Sequence, residues 1–310
     1  MKTVFIDGSA GTTGLRIYER LSARQDLKLM KLPEELRKDP EARKQALNSC
    51  DVAFLCLPDA AAMESVSLIE NDHVTVLDTS TAHRTNPDWA YGFPELSEEA
   101  KAKILASKRI AVPGCHASGF ISLTAPLVAA GILPADSRLT CHSITGYSGG
   151  GKKMIAAYEA DGRDPLLDAP RQYGLTQQHK HLKEMKAISG LTQAPIFCPI
   201  VSDFYSGMVV TVPLFREDLA PGKTVEDIKA VYAARYTGPM VTYRETMDEG
   251  GFLSGGGLSG KDTMEITVCG NEDRILLLSR YDNLGKGASG AAVQCLNLVL
   301  GVDPTTGLEL

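Results

Sequence analysis

The sequence predicts an α/β protein in two parts, and three observations carry that prediction. Short apolar runs alternate with helical periods through roughly the first hundred residues. A glycine-spaced turn, Gly8-Ser9-Ala10-Gly11-Thr12-Thr13-Gly14, joins the first apolar run to the first helical period. From Arg138 onward the pattern changes to strand-like runs with few helices between them.

In the first part, Thr3 to Ile6 reads as a strand and Leu15 to Leu21 as a helix, with the glycine turn between them. Leu27 to Leu32, Val52 to Leu57 and Val74 to Asp78 read as further strands, separated by helical stretches around 41 to 48 and 60 to 70. In the second part Arg138 to Ile144, Ile196 to Val201, Met208 to Val212, Val241 to Tyr243, Met264 to Val268 and Arg274 to Ser279 are strand-like, which predicts a mixed, mainly antiparallel sheet. The small and apolar run from Gly287 to Leu300 has helical periodicity and is expected to return to the first part. Gly250, Gly251, Gly255, Gly256, Gly257 and Gly260 mark the best candidate for a mobile loop.

Composition excludes several classes. The 310 residues, 44% hydrophobic and 23% charged, suffice for two domains with their own cores and do not suit a disordered or fibrous chain. A net charge of -6 argues against nucleic acid as partner, because phosphate neutralisation needs clustered cations. The seven cysteines are odd in number and contain no C-x-x-C pair, so reduced thiols are expected rather than a disulfide framework or a zinc site. Met1 to Asp7 runs straight into Gly8 without the apolar region of a signal peptide, and no run is long enough to span a bilayer. A cytoplasmic protein with no membrane partner is expected.

Three segments point to chemistry. Gly8-x-x-Gly11-x-x-Gly14 after a strand and before a helix suits a dinucleotide pyrophosphate, since glycine lets the backbone approach and the helix N-terminus offers free N–H groups. A merely tight turn is the competing reading. The second strand ends without the acid that would hold a ribose 2′-hydroxyl; Lys31 or Arg37 could meet a 2′-phosphate instead, which favours NADP over NAD, against a solvated basic loop. Pro113-Gly114-Cys115 precedes an apolar helical stretch, so Cys115 is expected at a helix N-terminus, where the dipole stabilises a thiolate. The other six cysteines are read as structural.

A thiolate needs an acid or base partner, and His179-Lys180-His181-Leu182-Lys183-Glu184 supplies candidates. On a helix His181 and Glu184 share a face at i, i+3, where the carboxylate would orient the imidazole and His179 would point elsewhere. A solvated helix start is the alternative, and a metal site is not expected from this spacing.

Taken together, the Gly8 to Gly14 turn, Asp78-Thr79-Ser80-Thr81-Ala82-His83-Arg84, Tyr91 to Leu96, Val112-Pro113-Gly114-Cys115, Gly146-Tyr147-Ser148-Gly149-Gly150-Gly151-Lys152, His179 to Glu184 and Asp282-Asn283-Leu284-Gly285-Lys286-Gly287-Ala288 resemble the short form of the N-acetyl-gamma-glutamyl-phosphate reductases, of the semialdehyde dehydrogenase superfamily. The resemblance implies a Rossmann-type dinucleotide-binding domain over residues 1–115, completed by a C-terminal helix in 285–310, and an α+β catalytic and dimerisation domain over 116–284. It implies NADP contacts at Gly8, Ser9, Gly11, Thr12, Thr13, Ser148, Gly149 and Asn283, and substrate contacts at Arg84 and Ser80. Cys115 would be the nucleophile, and His181 or His179, with Glu184, would move protons. The implied reaction reduces a small acyl phosphate, N-acetyl-glutamyl phosphate, to an aldehyde through a thioester in a homodimer or homotetramer of the arginine biosynthetic route. Longer members of the family place Pro and Ile around the glutamate, where this chain has Lys183 and Met185. An aspartate-semialdehyde dehydrogenase and a non-catalytic NADP-binding regulator are the competing functions.

Overall fold

The computed structural model describes all 310 residues, and they divide into two compact units. The first comprises Met1–Pro94, Glu98–Pro113 and Ala288–Leu308; the second comprises Glu95–Ser97, Gly114–Gly287 and Glu309–Leu310.

The first unit begins β1 (Lys2–Asp7), α1 (Thr12–Ser22), β2 (Leu27–Met30), α2 (Pro40–Ser49), β3 (Val52–Leu55), α3 (Asp59–Ser67) and β4 (Thr75–Asp78), and continues with β5 (Ala90–Tyr91), α4 (Glu98–Ala106) and β6 (Arg109–Ala111). Its six strands form one all-parallel sheet in the order β2-β1-β3-β4-β6-β5. Such a sheet is covered on both faces, which is why its central strands are apolar throughout rather than alternating. Val4 and Ile6 face one core, with Ile17 and Leu21 of α1; Phe5 faces the other, with Ala46 and Leu47 of α2. The chain leaves β1 toward β2 on one side and passes to β3 on the other, so the sheet reverses direction between β1 and β3. That reversal is where open α/β sheets bind ligands, and the glycine turn stands at it.

The second unit opens on α5 (Cys115–Ala129) and runs through β7 (Thr140–Gly146), α6 (Gly151–Tyr158), β8 (Arg171–Gln172), α7 (His181–Ser189), β9 (Ile196–Ser202), β10 (Met208–Phe215), α8 (Val225–Arg235), β11 (Val241–Tyr243), β12 (Met264–Gly270) and β13 (Arg274–Tyr281). The strands form a seven-membered sheet, β11-β12-β13-β10-β7-β9-β8. Two pairings, β11 with β12 and β7 with β9, are parallel, and the other four are antiparallel. The mixed, mainly antiparallel sheet expected from the sequence is therefore present. Alternation in β7 buries Cys141, Ser143 and Thr145 and exposes His142 and Ile144. α5 packs on β10 and β13 and against α7 and α8. Tyr236, the residue that follows α8, donates its hydroxyl to the carbonyl of Ser122, 2.6 Å away, inside α5.

The last helix, α9 (Gly290–Leu300), belongs to the first unit, where Ala291, Ala292, Val293, Cys295, Leu296 and Leu298 join the core that contains Val4 and Ile6. The sequence run began at Gly287, but Gly285–Ser289 forms a wider π-type turn before the α-helix starts. The Gly250 to Gly260 loop is turn-rich and anchored: Glu249 accepts from the backbone of Ser254 at 3.0 Å and pairs with Arg280.

Candidate active site

The glycine turn is shaped by what it excludes. Gly8 has φ +87°, and a Cβ there would stand 2.3 Å from the carbonyl oxygen of Cys56; one on Gly14 would stand 2.5 Å from the carbonyl oxygen of Gly8. Backbone fills the space a side chain would need, so both positions must be glycine. Gly11 caps α1 without any side-chain hydrogen bond, leaving the first-turn N–H groups, beside Ser9, Thr12 and Thr13, to whatever sits at the helix end. The partial positive charge of that helix end suits an anionic group such as a pyrophosphate.

Of the two cations considered for a 2′-phosphate, Lys31 lies just past β2 with its ammonium 5.3 Å from the centre of the Tyr18 ring. Arg37 is paired with Glu34 at 3.0 Å. Asp78, at the end of β4, organises the Ser80 to Arg84 segment. It accepts from Ser80 N–H at 2.9 Å and Ser80 Oγ at 2.7 Å, and its Oδ2 lies 2.6 Å from His83 Nδ1, whose ring stacks on Trp89. Arg84 is 7% exposed and donates to the carbonyls of Val112 and Thr79 at 2.8 and 2.9 Å. Its guanidinium thus ties together backbone in the first unit.

In the second unit Cys115 is the first residue of α5, behind an N-cap, Gly114, that has no side-chain cap. The Gly114 N–H instead donates to Glu184 Oε1 at 2.8 Å. Glu184 thus fixes the residue before the cysteine, a contact the helical spacing of His181 and Glu184 did not foretell. The Tyr281 hydroxyl donates to the carbonyl of Cys115 at 2.6 Å and accepts from Gly119 N–H at 3.0 Å, spanning the first turn of α5. A Cβ on Gly287 would lie 3.1 Å from that of Cys115, so the π-type turn packs closely on the thiol-bearing residue.

Three imidazoles gather in the same unit. His179 and His181 have ring centres 4.7 Å apart, and His116 lies 5.8 and 5.6 Å from them. The expectation that His179 points elsewhere is corrected: α7 begins only at His181, so His179 precedes the helix and its Nδ1 accepts the backbone N–H of His181 at 3.2 Å. Burial, with Lys180 adding to it, holds the His179 imidazole below its ordinary value. His116 was not singled out from the sequence. It is 3% exposed, and burial with nearby His179 pushes its pKa down to about 3. Its Nδ1 lies 2.6 Å from Ser143 Oγ and its Nε2 2.6 Å from Tyr173 Oη. The signal available was a polar residue, Ser143, at an inward position of an alternating strand; nothing marked Tyr173.

Ser148, Gly149 and Asn283 also come together in the second unit. Asn283 Nδ2 donates to Ser148 Oγ at 3.0 Å, its Oδ1 accepts from Gly207 N–H at 2.8 Å, and a Cβ on Gly149 would lie 3.3 Å from Nδ2. Among the other cysteines, burial pushes Cys50 and Cys56 up to about 12 and Cys141 further still, which keeps those thiols protonated and inert. No helix is long and apolar enough to cross a membrane.

Residues 3–104 match the NAD binding domain of semialdehyde dehydrogenase, and residues 115–283 match its dimerisation domain. The chain is 45% identical over 304 residues to the N-acetyl-gamma-glutamyl-phosphate reductase of Sinorhizobium medicae, covering 96% of this chain and 98% of that protein. It is 43% identical over 317 residues to N-acetyl-gamma-glutamyl-phosphate reductase 2 of a Nostoc species, covering 98% of each. Among solved structures, aspartate semialdehyde dehydrogenase II of Vibrio cholerae in complex with ASA superposes with a TM-score of 0.70 at 16% identity, over 97% of this chain and 98% of that one. A likeness at that identity speaks to the fold alone.

Proposed function

Because the chain belongs to the semialdehyde dehydrogenase family, and matches N-acetyl-gamma-glutamyl-phosphate reductases over nearly its whole length, we propose that it reduces N-acetyl-L-glutamyl 5-phosphate to N-acetyl-L-glutamate 5-semialdehyde with NADPH. The observation that carries the chemistry is Cys115 at the uncapped start of α5, in the unit that also holds the His116, His179 and His181 cluster.

The Cys115 sulfur attacks the acyl carbon; the C–S bond forms as the bond to phosphate breaks, which releases phosphate and leaves a thioester. When bound, the nicotinamide supplies the hydride that reduces the acyl group. His181 is the proposed acid and base: it takes the thiol proton, lends it to the oxyanion that develops on the acyl oxygen, and recovers it as the C–S bond breaks and aldehyde departs. His116 is unsuited to that task because both its nitrogens have partners and its basicity is low. His179 is the second candidate, since protonating its Nδ1 would cost the bond from His181 N–H. Glu184 holds the backbone before Cys115. The N-terminus of α5 offers N–H groups to the oxyanion.

The Gly8 to Gly14 turn, with Ser9, Thr12 and Thr13, is proposed to hold the dinucleotide pyrophosphate, and Ser148, Gly149 and Asn283 to complete its contacts. Lys31, past the acid-free end of β2, is the proposed basis of NADP preference. Ser80 and Arg84 are proposed on the substrate side. The first unit then serves as dinucleotide-binding domain and the second as catalytic and dimerisation domain, in a cytoplasmic homodimer or homotetramer. The outer face of the second sheet, with Ile144 41%, Ile196 61% and Leu276 39% exposed, supports self-association.

The test is phosphate-dependent reduction of NADP by the purified protein with N-acetyl-glutamate semialdehyde, beside aspartate semialdehyde, NAD and a Cys115→Ala variant. Turnover of the acetylated substrate with NADP, reduced about 10⁴-fold or more in the variant, is expected. Turnover of aspartate semialdehyde alone would transfer the assignment, and turnover surviving in Cys115→Ala would remove the thioester.

A further inference from the structure

We propose that Tyr281 is a positioning residue: its buried hydroxyl orients and polarises the peptide that joins Cys115 to His116, so that the His116 N–H receives the oxygen that turns negative during the reaction. The inference rests on the reading of Cys115 as nucleophile.

The argument starts from the ladder of α5. An α-helix joins the carbonyl of residue i to the N–H of residue i+4, which at this helix start pairs Cys115 with Gly119. The Tyr281 hydroxyl stands on both ends of that bond, donating to the Cys115 carbonyl at 2.6 Å and accepting the Gly119 N–H at 3.0 Å. Glycine is unfavourable inside a helix, and at 119 the missing side chain is what admits the phenol. A Cβ there would lie 2.5 Å from Tyr281 Oη, 2.5 Å from Val210 Cγ2 and 2.8 Å from Ser279 Oγ. Tyr281 is fully buried, and burial, with the charge of Cys115 adding to it, raises the phenol well above its ordinary value, so it keeps the hydrogen it donates. The π-type turn packs on the ring and on the cysteine together: a Cβ on Gly287 would lie 3.3 Å from Tyr281 Cε2 and 3.1 Å from Cys115 Cβ.

The consequence falls on the far end of the peptide. The Cys115 carbonyl and the His116 N–H belong to one planar unit and point in opposite directions, so fixing one fixes the other. A carbonyl that accepts a hydrogen bond also makes the N–H of its own peptide a stronger donor. That N–H lies in the first turn of α5, where no carbonyl of the helix can accept it, and Gly114 supplies no side-chain cap. The N–H that follows a nucleophile is well placed for the oxygen on the carbon under attack. Tyr281 acts through the peptide; proton transfer stays with His181.

The test is Tyr281→Phe, which keeps the ring against Gly287 and leaves the Cys115 carbonyl and Gly119 N–H free to bond directly. kcat is expected to fall about 10- to 50-fold with KM little changed, because the polarised N–H is used only as the oxyanion forms. Alkylation of Cys115 by iodoacetamide passes through no oxyanion. Its rate on the high-pH plateau, read by mass spectrometry on the Cys115 peptide, should change about twofold or less. An unmoved kcat would sink the proposal, and kcat, alkylation rate and melting temperature falling together would make Tyr281 a support of the fold alone. The peptide itself is read by NMR of protein carrying carbonyl-¹³C cysteine and ¹⁵N histidine. Cys-His occurs twice, at 115–116 and 141–142, so two signals are expected, and His142→Gln, on the exposed face of β7, identifies the one that remains. The 115–116 signal should move in Tyr281→Phe while the other stays; a stationary 115–116 signal would overturn the coupling. Should the variant not fold, the wild-type protein decides: a Tyr281 hydroxyl proton with a cross-peak to Gly119 N–H is expected, and its absence would remove the bridge. Alkylation and NMR are read without turnover, so they still decide if the assigned substrate proves wrong, whereas turnover surviving in Cys115→Ala would remove the nucleophile on which the proposal rests.

Discussion

At the Gly8 to Gly14 turn the chain offers backbone, and around Cys115 it offers side chains. The turn is defined by missing atoms: space closed at Gly8 by the Cys56 carbonyl and at Gly14 by the Gly8 carbonyl, and a helix start that no side chain caps. The cysteine site is defined by filled valences: Gly114 N–H on Glu184, the Cys115 carbonyl under Tyr281, and both nitrogens of His116 occupied. A backbone site tolerates changes of side chain and fails when a methyl is added. A side-chain site tolerates small changes of volume and fails when a donor or acceptor is lost.

The largest effect that would break this comparison lies at Gly8. Gly8→Ala meets both a positive φ and a carbonyl oxygen 2.3 Å from the new methyl. It is expected to destabilise the protein by about 3–5 kcal/mol and to abolish dinucleotide binding. Thr12→Ala should weaken that binding by tenfold or less, because the N–H groups remain. Thermal melts and a fluorescence titration with NADPH check both. Normal binding by Gly8→Ala would reduce the segment to a turn.

The same contrast explains what could be read in advance. Glycine spacing is a local signal, carried by seven consecutive residues, so the turn and its flanking β1 and α1 were legible. So were most central strands, whose apolar runs are their own signature. α8 went unread because its apolar positions do not stand out: Val225, Ile228 and Tyr232 bury one face of an otherwise charged helix, and Tyr232 and Tyr236 reach back to α5 carbonyls. The side-chain site was only half legible. Cys115 and the histidine pair sit in compact motifs, but Ser143 and Tyr173 reach His116 from positions 27 and 57 residues away. His179 was misplaced because the sequence does not show that its own Nδ1 starts the helix at His181.

A second effect sharpens the comparison through pH. The glycine turn has no titratable side chain, whereas His116 is held neutral with a pKa of about 3 against 6.5 for an exposed imidazole. The unfolded chain therefore binds the extra proton first as pH falls. Stability should be flat above about 6.5 and decline below it, by on the order of 3 kcal/mol at pH 4. His179, shifted the same way, adds to the slope. Urea unfolding of wild type and His116→Gln between pH 4 and 8 tests this: the variant should lose much of the acid slope, and an equal slope would mean that His116 is not the group responsible.

The smallest effect concerns Glu184, where positioning and chemistry can be separated. Its carboxylate accepts the Gly114 N–H at 2.8 Å, a charge-assisted bond that Glu184→Gln would replace by a neutral one of similar shape. If the residue acts by fixing the backbone before Cys115, Glu184→Gln should cost about 1 kcal/mol of stability and reduce kcat tenfold or less. Glu184→Ala, which leaves a buried N–H without an acceptor, should cost about 1–3 kcal/mol and lower kcat further. A Glu184→Gln variant as stable as wild type yet as slow as Cys115→Ala would show that the negative charge, and not the hydrogen bond, is what the chemistry uses, and Glu184 would then move from the scaffold of Cys115 to its proton chain.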